Sequence, residues 1–142
     1  MNLETQWVVG FVDGEGCFHV QILKNPSSTL GYQVLPEFVV SQHVRSIKVL
    51  YALKEFFGTG VVRKESSRPE ETGRQYRVRS LALLRTKIVP FFEKHSLKTT
   101  KRIDFLKFRY ILQLMEKGEN QTLEGIEKIR KIKNLMNSKK LR

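Results

Sequence analysis

The stretch Trp7-Val8-Val9-Gly10-Phe11-Val12-Asp13-Gly14-Glu15-Gly16 decides how the rest of the chain is read. It is an apolar helical run with a glycine inside it, followed by acid-Gly-acid-Gly. Its parts are locally unfavourable. A glycine in a helix interior costs ~1 kcal/mol against alanine, and Val8, Val9 and Val12 are β-branched. Asp13 and Glu15 fall where the helix dipole is already negative, adding ~0.3–1 kcal/mol of repulsion each. Gly10 makes sense if a second backbone approaches closely there, and the two acids make sense if a cation meets them. A buried helix with a glycine-rich exit turn accounts for the same residues.

The chain has 142 residues, 40% hydrophobic and 10% aromatic, which fits one folded domain with a modest core. No apolar run approaches the ~18 residues of a membrane span, so no membrane partner is expected. The start, Met1-Asn2-Leu3-Glu4, lacks the basic and apolar regions of a targeting peptide. The single cysteine, Cys17, excludes an internal disulfide and a cysteine-based metal site. His19, His43 and His95 have no metal-ligand spacing and read as structural or nucleic-acid-facing. The formal net charge is +12, which calls for a polyanionic partner. It is lopsided: residues 1–58 hold four Lys/Arg against five Asp/Glu, and the remainder holds 22 against 9. A nuclease needs this division, with basic surface for phosphate and carboxylates kept for a metal.

Thr5 is placed to cap a first helix running to about Asp13. The period then changes to two: Phe18, Val20 and Ile22 alternate with His19, Gln21 and Leu23, the pattern of a strand with one buried face. Lys24 to Gly31 is a turn. A second strand over Tyr32–Ser41 buries Val34, Phe38 and Val40 and turns Gln33, Leu35, Glu37, Val39 and Ser41 outward. Ser46 to Phe57 reads as a helix stopped by Gly58. Val61–Glu65 and Arg74–Arg79 are the next two strands, joined by the loop Ser66–Gly73. Tyr76 and Val78 face inward, whereas Arg63, Arg77 and Arg79 form a basic stripe on the other side. Three helices follow. The first is capped by Ser80 and either kinked or divided into two pieces by Pro90, the second is capped by Thr100 and ends at Gly118, and the third starts at Thr122. The last has the stripe Leu123, Ile126, Ile129, Ile132 and Leu135. The tail Lys139–Arg142 is a frayed basic end within reach of phosphate.

The decapeptide resembles the LAGLIDADG motif of homing endonucleases, and the order α-ββ-α-ββ-α with C-terminal helices is similar to that family's domain. The resemblance implies an α+β fold with a four-stranded antiparallel DNA-binding saddle. It implies one domain over 1–142, with a core at 1–118, the motif helix at 5–16, and a C-terminal helix and tail at 119–142. The chain has one motif and no internal repeat, so the resemblance implies a homodimer with Trp7, Gly10, Phe11 and Asp13 at the subunit contact. It implies Glu15 and the Gly14 carbonyl as ligands for Mg²⁺, with Mn²⁺ or Ca²⁺ as substitutes for binding. Gln42 matches the polar residue after the second strand, and Lys98 or Lys101 the catalytic lysine. An arginine found in some relatives falls here at Ser46, with Arg45 beside it.

The partner implied is double-stranded DNA. Base-reading candidates are His19, Gln21 and Leu23 on the first strand, Gln33, Leu35 and Glu37 on the second, and Arg63, Glu65, Gln75, Arg77 and Arg79 on the last two. A strand of about 8 residues at ~3.3 Å each spans about 26 Å, or about 8 base pairs. A dimer would then cover a near-palindrome of roughly 16–22 base pairs. The reaction implied is metal-assisted phosphodiester hydrolysis by an intron-encoded, site-specific endonuclease, and family members commonly reside in organelles (chloroplast or mitochondrion). Two alternatives share the fold: a maturase whose partner is intron RNA, and a DNA-binding regulator that does not cleave.

Overall fold

Helix α1 (Thr5–Glu15) passes into strand β1 (Gly16–Lys24) with no residue between them. The helix was expected to end near Asp13. It continues to Glu15 because the Gly16 N–H still donates to the Val12 carbonyl, as a further helical turn would. Only glycine fits at the junction: a Cβ on Gly16 would stand 2.7 Å from Val12 Cγ1 and 3.0 Å from the Val12 oxygen. Thr5 is the first helical residue and not the cap. Glu4 precedes it without a side-chain capping bond. This computed structural model describes residues 1–137; the basic tail at 138–142 lies outside the described residues.

β1 pairs antiparallel with β2 (Tyr32–His43), from Gly16 opposite Val40 to Lys24 opposite Tyr32. β2 runs two residues further than its alternation suggested, because Gln42 and His43 keep pairing with Arg74 and Gly73 of β4 (Gly73–Val78). Between these strands lie α2 (Ile47–Phe57), ended by Gly58 at φ +71°, and the short β3 (Val61–Lys64). The sheet is antiparallel throughout, in the order β1-β2-β4-β3.

The period-two reading places the core correctly. Phe18, Val20, Val34, Phe38, Val40, Tyr76 and Val78 are buried together with Val8, Val9 and Val12 of α1. Ile22 is only half-buried at the rim. Phe18 is the hub: its ring centroid lies 5.1 Å from Phe38, 5.2 Å from Phe105, 5.3 Å from Phe108 and 5.6 Å from Phe92.

The helices behind the sheet differ from expectation in detail. The first, α3 (residues 81–94), has a π turn at Leu84–Ile88 between Leu81–Leu83 and Val89–Lys94. Pro90 has no N–H for the preceding turn and its ring needs room there, so the helix widens. Ser80 caps it as expected, accepting from Leu83 N at 3.3 Å. Helix α4 (Lys101–Glu116) is served by Thr99 and not Thr100, since Thr99 Oγ1 accepts from Lys101 N at 3.2 Å. Thr122 caps α5 (Leu123–Lys133) through Gly125 N at 2.9 Å. Ile126 and Ile129 of α5 join the core, but Leu123 and Leu135 of the expected stripe are exposed.

Phe18→Ala should remove the hub of five rings and lower unfolding stability by ~3–5 kcal/mol. The check is a urea titration whose midpoint falls while its slope is unchanged.

Candidate functional site

Helix α1 buries Val8, Val9 and Val12 and turns Trp7, Gly10, Phe11 and Gly14 the other way. These four recur at helical spacing, so they form one continuous stripe. Trp7 is 47% exposed, and its ring stacks on Phe11 at 4.7 Å and 15°. A Cβ at Gly10 or at Gly14 would meet nothing within 4 Å. Gly10 is therefore not small to suit anything among the described residues, and an apolar, glycine-floored face is left on the surface.

The two acids at the end of α1 have separate fates. Asp13, expected at the subunit contact, is used within the chain. Its carboxylate accepts from Lys98 N at 2.7 Å, from Thr99 N at 3.1 and 3.2 Å, and from Thr99 Oγ1 at 2.6 Å. This ties the approach to α4 onto the end of α1. Burial pushes the Asp13 carboxyl upward, but the Thr99 hydroxyl, the two backbone N–H groups and the Lys101 charge outweigh it and hold it below its ordinary value. The buried Lys101 ammonium donates to the Val12 carbonyl at 3.3 Å and so meets the negative end of α1 with a cation.

Glu15 is exposed and makes no hydrogen bond or ion pair among the described residues. Of the two carboxylates, then, one is satisfied by the chain and the other is left open beside the exposed backbone of Gly14. Among the described residues no three His, Cys, Asp or Glu side chains are grouped to hold a metal. One carboxylate and one carbonyl make at most part of an oxygen site, which fits a hard divalent cation only if further oxygens come from elsewhere. The lysine pair also separates. Lys101 is committed to Val12, whereas Lys98 is held only by its backbone and its side chain is exposed. Gln42 is half-buried at the end of β2, opposite Arg74. Arg45 is exposed, and its N–H donates to His43 Nδ1 at 3.1 Å.

The sheet face opposite the helices carries the expected base-reading residues in cross-strand rows. Gln21 stands opposite Leu35 and Leu23 opposite Gln33, while Gln75 lies between Ser41 and Arg63. Arg63 Nη1 donates to Gln75 Oε1 at 3.3 Å. Cys17, Val39, Arg77 and Val61 form a second row. Partial burial, with Arg79 and Arg63 nearby, holds the Arg77 guanidinium below its ordinary value, and Glu37 opposes this. Glu65 lies just past the end of β3, with its carboxyl group over Gly73. Glu37, expected to read bases, is only 8% exposed: Arg79 Nε donates to it at 2.7 Å, and His19 Nδ1 lies 3.2 Å from its other oxygen. Sequence alternation gave the face of Glu37 but not its pairing, because Arg79 is 42 residues away.

The sequence profile described as LAGLIDADG endonuclease matches residues 8–112. The crystal structure of the homing endonuclease I-TnaI is 52% identical, covers 99% of this chain and 92% of its own, and superposes with a TM-score of 0.90. The structure of I-SmaMI bound to uncleaved DNA target in the presence of calcium ions is 37% identical, over 99% of this chain and 48% of that one, with a TM-score of 0.89. A probable intron-encoded endonuclease of Neurospora crassa is 33% identical over 129 residues, 90% of this chain and 28% of its own length. The chain spans between 24% and 56% of the curated relatives it matches.

The Asp13 clamp predicts a pH-dependent stability difference. A carboxyl held below its ordinary value of 3.8 stabilises the fold fully above that pH and ceases to do so as pH falls through its folded value. Asp13→Asn should therefore cost ~1 kcal/mol at pH 7, with solvent access keeping it at the low end. The difference from the parent should narrow as pH falls below 3.8 when the two are compared by chemical denaturation at a series of pH values from about 7 into the acid range.

Proposed function

The chain belongs to the LAGLIDADG endonuclease family, and from that premise we propose that it is an intron-encoded endonuclease acting on both strands of a specific DNA site as a homodimer. One observation carries the reading. The stripe Trp7, Gly10, Phe11 and Gly14 ends at Glu15, which has no partner among the described residues and immediately precedes β1 of the sheet that bears the arginines. A second copy laid across this stripe in two-fold symmetry would place one Glu15 from each chain side by side. Two adjacent carboxylates repel unless a cation lies between them, so assembly and metal binding support each other. An organellar compartment belongs to the same proposal and rests on the intron-encoded naming of a relative.

Divalent-metal dependence is a trait of the family, and one relative was crystallised on its DNA with calcium ions. In this chain Glu15 and the Gly14 carbonyl would hold the ion, with Mg²⁺ the one that suits an all-oxygen set. Bound there, it would lower the pKa of a water and neutralise charge building on the phosphate. The protein's own part is to position and to compensate charge. The Asp13 clamp fixes the backbone of Lys98 at the end of α1 and leaves its ammonium free to meet a phosphate. Lys101 keeps α1 closed at its C-terminus. Gln42, at the end of β2, supplies an amide that can orient water. Arginines at 63, 77 and 79 offer donors to phosphate and to guanine edges.

Glu15→Gln should reduce Mg²⁺-dependent cutting of the intron-insertion sequence by at least on the order of 10²–10³-fold and leave DNA retention in a gel-shift assay largely intact. Full cutting by this variant would defeat the metal assignment, and uncut DNA with tight intron-RNA binding by the parent would favour a maturase. Gly10→Leu should drive leucine side chains into the helix contact and convert the dimer to monomers in sedimentation velocity. An unchanged dimer would defeat the packing reading.

A further inference from the structure

His19, Glu37 and Arg79 come from three different strands or strand ends and meet in one cluster on the open face of the sheet. Glu37 is the buried member, and both of its oxygens are taken: Oε2 by Arg79 Nε at 2.7 Å and Oε1 by His19 Nδ1 at 3.2 Å. Its partners are open to solvent, with 46% of the Arg79 side chain and 37% of the His19 side chain exposed. A carboxylate sunk into a face that must approach a polyanion needs a reason. Reading a base is not available to it, because each of its oxygens is already turned to a neighbour and its position is covered.

We propose that Glu37 is a positioning residue that fixes what its two neighbours present to the DNA major groove. The proposal rests on the DNA-endonuclease reading and names part of its specificity. A carboxylate can only accept, so His19 Nδ1 must carry a proton toward it. In the neutral ring this leaves Nε2 as a bare acceptor pointing away from Glu37. An acceptor in the major groove selects an amino-bearing base, the N4 of cytosine or the N6 of adenine. Arg79, held through Nε, keeps its two terminal nitrogens for the paired acceptors O6 and N7 of guanine. Because one carboxylate orients both, the two readers address the same or neighbouring base pairs. The unit is suited to guanine under Arg79 and to cytosine or adenine under His19.

Glu37→Gln tests this with nearly unchanged shape. The amide must turn its oxygen toward Arg79 Nε, since the reverse orientation would set two donors against each other. Its NH₂ then faces His19 Nδ1, which becomes the acceptor, and the ring proton moves to Nε2. His19 is thereby converted from acceptor to donor toward DNA. The experiment selects random-sequence duplex DNA with the full-length parent and the variant, in Ca²⁺ at pH 8, and compares the consensus sites by sequencing. Expected is a switch at one position from cytosine or adenine to guanine or thymine, by roughly fivefold or more, with the neighbouring guanine retained. A structural role alone would weaken all sites equally and leave the consensus as it was; that result overturns the proposal. A parent that enriches no consensus would instead overturn the endonuclease reading itself. His19→Ala and Arg79→Ala provide a second arm should Glu37→Gln fail to fold. Each should flatten one position, the two positions adjacent or identical, and positions more than two base pairs apart would equally overturn the proposal.

Discussion

The structure depends on a helix that becomes a strand without a loop. Gly16 can neither carry a side chain nor give up its bond to Val12, because Val12 closes on it from one side and the sheet continues from the other. A loop of even a few residues would let α1 swing relative to β1. Without one, the direction of the α1 stripe, the position of Glu15 and the register of the first cross-strand rows are set together. Val8, Val9 and Val12 hold the same relation from beneath by joining the core that contains Phe18, Phe38 and Tyr76. The β-branched residues that weaken the helix locally are thus the ones whose burial fixes it in place.

That rigidity explains the two acids. Both stand at a helix end that disfavours them, but the fold compensates only one. Asp13 receives two backbone N–H groups and a hydroxyl from the approach to α4, and the Lys101 ammonium caps the adjacent carbonyl. Glu15 receives nothing of the kind. Had the chain needed only to terminate a helix, an uncharged residue would serve better at position 15. The cost is left standing where the α1 stripe and the open backbone of Gly14 run into the first strand of the sheet. The base-rich remainder of the chain supplies the opposite field around it.

Much of this was legible from residue order, for physical reasons. The two-residue period of Phe18-Val20 and Val34 to Val40 gave the strands and their buried face, since a strand packed on one side has no other way to alternate. Gly58, Ser80 and Thr122 marked helix ends because capping chemistry is local. What could not be read depends on contacts between distant positions. Asp13 is satisfied by residues 85 and 86 places away, and Glu37 by Arg79. The choice of Thr99 over Thr100 follows from the same clamp, which turns the Thr99 hydroxyl to serve Asp13 and Lys101 N together. Pro90 announced a disturbance but not its form, a π turn one step earlier. Leu123 and Leu135 fitted a helical stripe in number, yet only the middle of α5 reaches the core.

A chain that offers one open carboxylate and one glycine-floored helix face is incomplete in two ways, and a single event can answer both. Closing the stripe against a second copy would bury Trp7, which is 47% exposed, and the part of Phe11 that its packing on the core leaves open. On the proposed two-fold assembly the same act would bring a second Glu15 beside the first and add oxygens that the described residues of one chain lack. The carboxylates would resist that approach, so the apolar contact would have to supply the free energy that holds them together until a cation and a phosphate arrive. Hydrolytic competence would then exist only where two subunits and a DNA backbone meet. An isolated protomer would have the arginines to bind nucleic acid but not the site to cut it.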